Sequence, residues 1–519
     1  MGTPEDIARA VEAAEAKAPT RSEAVRDQLT LLAGTGQNIV GLAVFMIATF
    51  GISILIARAF GKGSAAFGQI TLVTQLAFVA GAATRFGMDM AAVRRVAIEV
   101  GRGQPGRSRA IVRIAVWIAL AVSVGGTAIV FALAGPVARL VNTTESAIRA
   151  GAVALIFVAL AQVYLGGSRG LKIMRYTLYA YWVGQSISWI VLTLVLWQVI
   201  GRSVAVTVTA YALSWVVATA IASLSWRSAT ASFPRLPAEP QESRELIRYG
   251  APRAPAALLS QALFYTDLFV LGHFVHDARL SAYAAAIRVS QALVLFLTAV
   301  SYMFSPFVAD LYERAERDRL NALFKQITRW TIAGTIPLLL LFAIAPGQVL
   351  HLFGAEYAAG ASWLRVLLIG QIVNVSVGAA GFVLIMVGRT GWDLGVYGAS
   401  FVLDLVIAVV LVPHLGPKGA AIAQATALVS LNVLRLYLVW RFVRIQPYDV
   451  NYARLAIPAA IGAATMLVVH SWLQGPKWGL DLLGTALLGG VVYYSALLVV
   501  GLTPGERLSV MRLLRRIRA

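Results

Sequence analysis

With 519 residues, 59% of them hydrophobic and only 13% charged, the chain has too little polar surface for a water-soluble fold, and lipid is the solvent its composition fits. The apolar stretches are long and lack alternation with period two, which excludes a β-barrel; the absence of cysteine excludes disulfide frameworks and thiolate metal sites. The formal charge of +20 does not signal nucleic acid as a partner. The arginines stand in short connections between apolar runs, which is the positive-inside pattern of a membrane protein.

Residues 1–28 read as a polar cytoplasmic tail with a helix-start pattern at Thr3-Pro4-Glu5-Asp6. No apolar core follows the first residues, so a cleaved leader is not expected. A spanning helix takes roughly 20 apolar residues, and about fourteen such stretches follow. They fall near 31–57, 65–87, 110–135, 147–168, 176–199, 203–225, 253–275, 281–308, 327–350, 361–387, 393–413, 416–440, 452–473 and 480–501. One set of connections is arginine-rich: Arg94 to Arg109, Arg169 to Arg175, Arg227 to Arg248, Arg314 to Lys325 and Arg441 to Arg454. The alternate set is short and nearly neutral, as at Gly201-Arg202 and Gly416-Pro417-Lys418. Both termini are therefore expected in the cytoplasm of a cell with its inner (plasma) membrane as the host bilayer.

The longest internal connection, with Pro234, Pro237 and Pro240, divides the chain into two similar halves. Ala65-Ala66-Phe67-Gly68 matches Ser281-Ala282-Tyr283-Ala284, Leu140-Val141-Asn142 matches Leu352-Phe353-Gly354, and Ala210-Tyr211-Ala212-Leu213 matches Ala425-Thr426-Ala427-Leu428, at offsets of 216, 212 and 215. Each half has an even number of spans, so a pseudo-two-fold axis should run along the membrane normal with a cavity between the halves. The expected organisation is an N-lobe over 29–225, a cytoplasmic linker over 226–250, a C-lobe over 251–445, an extra helix pair over 446–503, and a basic amphipathic tail over 504–519 lying on anionic lipid.

Five segments in this order carry a family likeness. They are Leu55-Ile56-Ala57-Arg58-Ala59-Phe60-Gly61, Tyr265-Thr266-Asp267-Leu268-Phe269-Val270-Leu271-Gly272, Ser281 to Arg288, Leu352-Phe353-Gly354-Ala355-Glu356-Tyr357, and Gly416-Pro417-Lys418-Gly419-Ala420-Ala421-Ile422-Ala423. Over roughly 30–445 the chain resembles the multidrug/oligosaccharidyl-lipid/polysaccharide exporter superfamily, and within it the polysaccharide (Wzx-type) flippase branch. The resemblance implies two six-helix lobes in a V shape, alternating access, and a lipid-linked oligosaccharide of the undecaprenyl-pyrophosphate type as cargo. Polysaccharide polymerases or glycosyltransferases are the partners it suggests. Drug exporters of the superfamily usually place an acid in span 1, where this chain has no acid and carries Gln37 and Asn38. Peptidoglycan-precursor flippases carry an arginine doublet in span 2 that is not reproduced around Arg85. Catalysis has little footing, because outer loops are a few residues long and no histidine pairs with a second histidine or an acid at ligand spacing. No catalytic group, metal or cofactor is expected.

Ionisable side chains inside hydrocarbon cost about 2.5–3.5 kcal/mol on insertion scales, so each needs a partner or a wet cavity. Counting along uninterrupted helices brings Asp267 and Arg288 to similar depth and predicts a salt bridge, with Arg288 able to exchange Asp267 for a phosphate. The Arg288 position also matches an arginine that lipid-precursor flippases use in their cavity. Arg85 and Arg253 stand at the inner edge, Arg253 corresponding to Gln37 in the other half, as candidate pyrophosphate ligands. Asp404 is expected to bridge to Arg435, and is also the candidate site for coupling to H+ or Na+. Gln162, Gln185, Gln371 and Asn374 are candidates for sugar hydroxyls or, equally, for helix-to-helix hydrogen bonds.

Overall fold

The computed structural model describes residues 44–61, 63–251, 253–313, 315–473 and 478–502. Gln37, Asn38, the helix-start pattern at Thr3 and the basic tail lie outside them. Among the described residues the structure is entirely helical, without a strand, as lipid requires of a chain that must satisfy every backbone group internally.

The first half contains α1 (Val44–Ala59), α2 (Ala66–Thr84), α3 (Met88–Gly101), α4 (Ser108–Ala132) and α5 (Glu145–Gly170). Then come α6 (Ser186–Val199), entered through a wide π-type turn over Leu178–Gln185, and α7 (Val204–Ala229). Helix α5 is the centre of this half, packed on α2, α3, α4 and α7. Small residues let it approach so closely: a Cβ at Gly166 would stand 2.3 Å from the Asp89 carbonyl oxygen. Between helices in lipid, van der Waals contact of this kind replaces the hydrophobic effect as the packing force.

The linker carries α8 (Glu242–Gly250), and the second half contains α9 (Arg253–Ala262), α10 (Thr266–Phe274), α11 (Ala278–Gln291) and α12 (Val294–Glu313). It continues with α13 (Arg317–Ile344), α14 (Ala361–Val377), α15 (Ala380–Met386), α16 (Thr390–Leu415) and α17 (Pro417–Val443). The extra pair is α18 (Ala456–Leu473) and α19 (Trp478–Ala496), packed on α13.

Among the described residues twelve helices are long and apolar enough to cross a membrane, so the chain is a multi-pass membrane protein. Two expected spans fall outside that number. Only part of the first is described, as the 16-residue α1. The seventh is broken into α9 and α10 by a turn at Leu263-Phe264-Tyr265. In lipid that break needs substitute partners, and it has them: the Thr266 hydroxyl donates to the Ala262 carbonyl at 2.8 Å, and Gln424 Nε2 of α17 donates to the Phe264 carbonyl at 3.2 Å.

The linker is not a free tether. Its helix α8 is strapped onto α3 by Arg95, whose Nε and Nη2 meet the two oxygens of Glu242 at 2.7 and 2.5 Å, with Glu245 at 3.1 Å from Nη1. The bond to Glu242 holds the Arg95 guanidinium above its ordinary pKa despite partial burial. Arg107 adds a 2.6 Å contact to Glu239. The proline-rich connection is thereby part of the first half.

At one end of the molecule the two halves are closed on each other. Gly68 at the start of α2 lies so near α11 that a Cβ there would be 2.7 Å from Leu280 Cγ. The Gly68 amide donates to Ser281 Oγ, which donates in turn to the Ser64 carbonyl, both at 2.9 Å. These are the segments related by the internal repeat, and equivalent segments meet where a two-fold axis passes.

Candidate functional site

The charges inside the second half divide into two groups. Asp267 stands in the first turn of α10, at the positive end of that helix, and is fully buried. Its Oδ2 accepts a short hydrogen bond from the Tyr283 hydroxyl of α11, while Oδ1 has no partner. Helix α10 packs on α16, which brings Asp404 into electrostatic contact with Asp267 and Tyr283. Both Asp404 carboxyl oxygens are buried without a hydrogen-bond partner. Two carboxyl groups and a phenol thus lie together in the buried interior, and among the described residues no cationic side chain pairs with either carboxyl.

Arg288 is separate from them. The expected bridge to Asp267 does not form, and the break in the seventh span is the reason. The depth count assumed one continuous helix, and the turn at 263–265 resets its register. On α11, Tyr283 and Arg288 are five residues apart, about 140° around the helix, so the face that offers Tyr283 to Asp267 turns Arg288 away. Its guanidinium instead feels Tyr265 of its own half and Tyr211 of α7 in the other half, and its buried Nε has no partner. Arg288 therefore faces the seam between the halves.

The expected Asp404–Arg435 bridge is also absent. Arg435 binds Asp393, with Nη2 and Nε at 2.8 and 2.9 Å from Oδ1, and its guanidinium covers the Tyr397 ring at 4.4 Å. Helices α16 and α17 form a hairpin about Gly416. Arg435 lies 19 residues after that turn, Asp404 12 before it and Asp393 23 before it. The mismatch in depth is about 10 Å for Asp404 and about 6 Å for Asp393, and a long arginine spans the smaller one. Counting from Gly416 singles out Asp393 once the hairpin is known.

The remaining candidates divide as follows. Arg85 Nη1 lies 3.4 Å from Asp89 Oδ2, one turn on, while its Nε is buried without a partner. Arg253 opens α9, its side chain being outside the described ones. Asn374 donates to Gln371 at 3.2 Å and accepts from Asn432 of α17 at 3.2 Å; Gln185 donates to Ser214 at 3.1 Å. Gln371, Asn374 and Gln185 thus join helices or neighbouring turns. Tyr283, Tyr265 and Tyr211 were missed, because a tyrosine on an apolar helix reads as core until its hydroxyl finds a partner.

The family model described as "Polysaccharide biosynthesis protein" matches residues 31–312, more than half of the chain. The chain belongs to this family. A second model, MatE, matches residues 252–410. Two curated proteins of Haloferax volcanii are similar. The probable low-salt glycan biosynthesis flippase Agl15 is 24% identical over 211 residues, covering 40% of this chain and 44% of that protein. The probable flippase AglR is 28% identical over 178 residues, covering 33% and 36%. The chain thus spans less than half the length of either relative. Among solved structures, the lipid II flippase MurJ in an inward closed conformation superposes with a TM-score of 0.69 at 11% identity, over 90% of this chain and 98% of that one. An inward-facing multidrug resistance MATE family transporter of the MOP superfamily gives 0.64 at 15% identity, over 80% and 98%. The fold of this family member is that of the MOP superfamily.

Proposed function

We propose that the protein moves a polyprenyl-pyrophosphate-linked oligosaccharide from the cytoplasmic to the outer leaflet of the inner membrane, by alternating access of its two halves, for cell-surface polysaccharide assembly. One observation carries the reading: Arg288 presents a cation at the seam between the halves, and among the described residues no acid pairs with it. A buried cation is costly in lipid unless an anion visits it, and arginine suits the forked oxygens of a pyrophosphate. Arg85 and Arg253 would receive the same group at the inner edge, and Gln37 and Asn38 would line its path. The glycan would pass through the polar seam while the lipid tail stays in the bilayer. Names of the Haloferax relatives support a glycan cargo.

Asp267 and Asp404 fit a different duty. Two buried acids in electrostatic contact hold their charge together only when a proton or a small cation joins them, so this pair is our proposed coupling site for H+ or Na+. The MatE match over the same half favours one rival reading, a cation-coupled exporter of small molecules.

The deciding experiment uses purified protein in liposomes with a fluorescent lipid-pyrophosphate sugar. Movement of the lipid between leaflets, with the glycan chemically unchanged, is the expected result. A lengthened or transferred glycan would point to an enzyme, and movement of small cationic dyes without glycan lipid to the exporter. Orientation is tested separately: cysteines introduced at Arg202 and Lys418 should react with an impermeant reagent outside intact cells, and those at Arg107 and Arg317 should not.

A further inference from the structure

Two further hydrogen bonds cross between the halves at their closed end, and they are copies of each other. Arg58, at the end of α1, donates from Nε to the Leu352 carbonyl at 2.9 Å. His273, at the end of α10, bonds through Nδ1 to the Leu140 carbonyl at 2.7 Å. Leu140 and Leu352 begin the matched segments Leu140-Val141-Asn142 and Leu352-Phe353-Gly354. Arg58 and His273 are 215 residues apart, the same spacing as the repeat. In each half, then, the side chain ending the first span reaches the carbonyl that follows the third span of the other half. A pseudo-two-fold axis demands this reciprocity, and the sequence keeps a donor at both positions although the residue types differ.

We infer that Arg58 and His273 are paired latches that hold this end of the transport path shut. The inference rests on the transport reading above. The two bonds join the same halves as the Gly68–Ser281–Ser64 contact, and Phe67 of one half meets Phe353 and Tyr357 of the other, with ring centres at 5.8 and 6.0 Å. Rings and glycine contacts give the seam its fit. The latches differ in kind: both are directional bonds from exposed side chains to bare carbonyls, so they can be broken and remade without burying or stranding a charge. A carbonyl only accepts, so His273 serves with a proton on Nδ1, as one neutral tautomer or as the cation. Breaking both together releases the halves symmetrically, as a rigid-body opening about the axis requires.

The test exploits the cysteine-free chain. Ala66, buried at the start of α2 within the seam, is replaced by cysteine, and its reaction with a bulky hydrophilic maleimide is timed with the full chain in nanodiscs. Arg58→Ala and His273→Phe should each speed labelling roughly 3- to 10-fold, and the double variant by about the product, from the usual strength of a hydrogen bond. Arg58→Lys and His273→Gln keep a donor and should stay near the parent rate; Arg58→Met replaces Arg58→Ala if the latter does not elute as a folded species. An unchanged rate in the double variant overturns the latches. So does equal acceleration at a control cysteine replacing Ala159, buried in α5, because that would mean general loosening. Labelling needs no substrate, so its outcome is separate from whether a glycan lipid moves.

Discussion

The Tyr493 hydroxyl of α19 donates to the Ala333 carbonyl of α13 at 2.8 Å, and that carbonyl is the one Pro337, four residues on, leaves without an amide partner. A proline inside a membrane helix thus becomes the docking point for the extra helix pair, with Gly462 of α18 making room for the tyrosine ring. Tyr493→Phe should lower stability by about 1 kcal/mol, the scale of a hydrogen bond between membrane helices. Thermal unfolding in detergent reads the change. In a Pro337→Ala background the restored amide bonds Ala333, and the loss should shrink; an equal loss in both backgrounds would disprove the link.

Arg435 and Asp393 form a buried pair, so removing one partner strands the other. Arg435→Met should cost about 3–5 kcal/mol, and combining it with Asp393→Asn should recover much of that loss. Asp404→Asn should cost far less, because among the described residues no cationic side chain depends on that carboxyl. Melting temperatures of the three variants check the order; a larger loss for Asp404→Asn than for Arg435→Met would contradict the pairing described above.

If Asp267 and Asp404 bind the coupling cation as one site, Asp404→Asn and Asp267→Asn should remove the dependence of transport on an imposed Na+ or H+ gradient. The double variant should be no worse than either single one, since groups acting as a unit are not additive. Initial rates in liposomes with and without each gradient decide this. Gradient dependence surviving in both single variants would rule out the site.

Arg288→Ala should reduce glycan-lipid movement by at least about tenfold while leaving folded protein in the membrane, whereas Arg288→Lys should keep part of the rate, having the charge but not the fork. Because Arg288 does not neutralise Asp267, Arg288→Ala should not lower the melting temperature as a broken ion pair would. Full transport by Arg288→Ala would end the phosphate-binding role.

The sequence by itself determined the solvent, the helical class, twelve of the expected spans and the internal repeat, because these follow from composition, segment length and spacing along one chain. It also marked Asp267, Arg288 and Asp404 as unusual, since a charge in an apolar run stands out wherever it points. Partners were another matter. Depth along an uninterrupted helix predicts a neighbour only while register is preserved, and the turn at Leu263-Phe264-Tyr265 removed that condition for Asp267. For Arg435 the arithmetic about Gly416 was available, but choosing Asp393 required knowing that α16 and α17 form a tight hairpin. The strapping of α8 by Arg95 and the reciprocal bonds of Arg58 and His273 needed the tertiary structure outright. Each joins groups distant in the chain, and whether a donor meets a carbonyl depends on angles and distances of a few tenths of an ångström, set when helices pack.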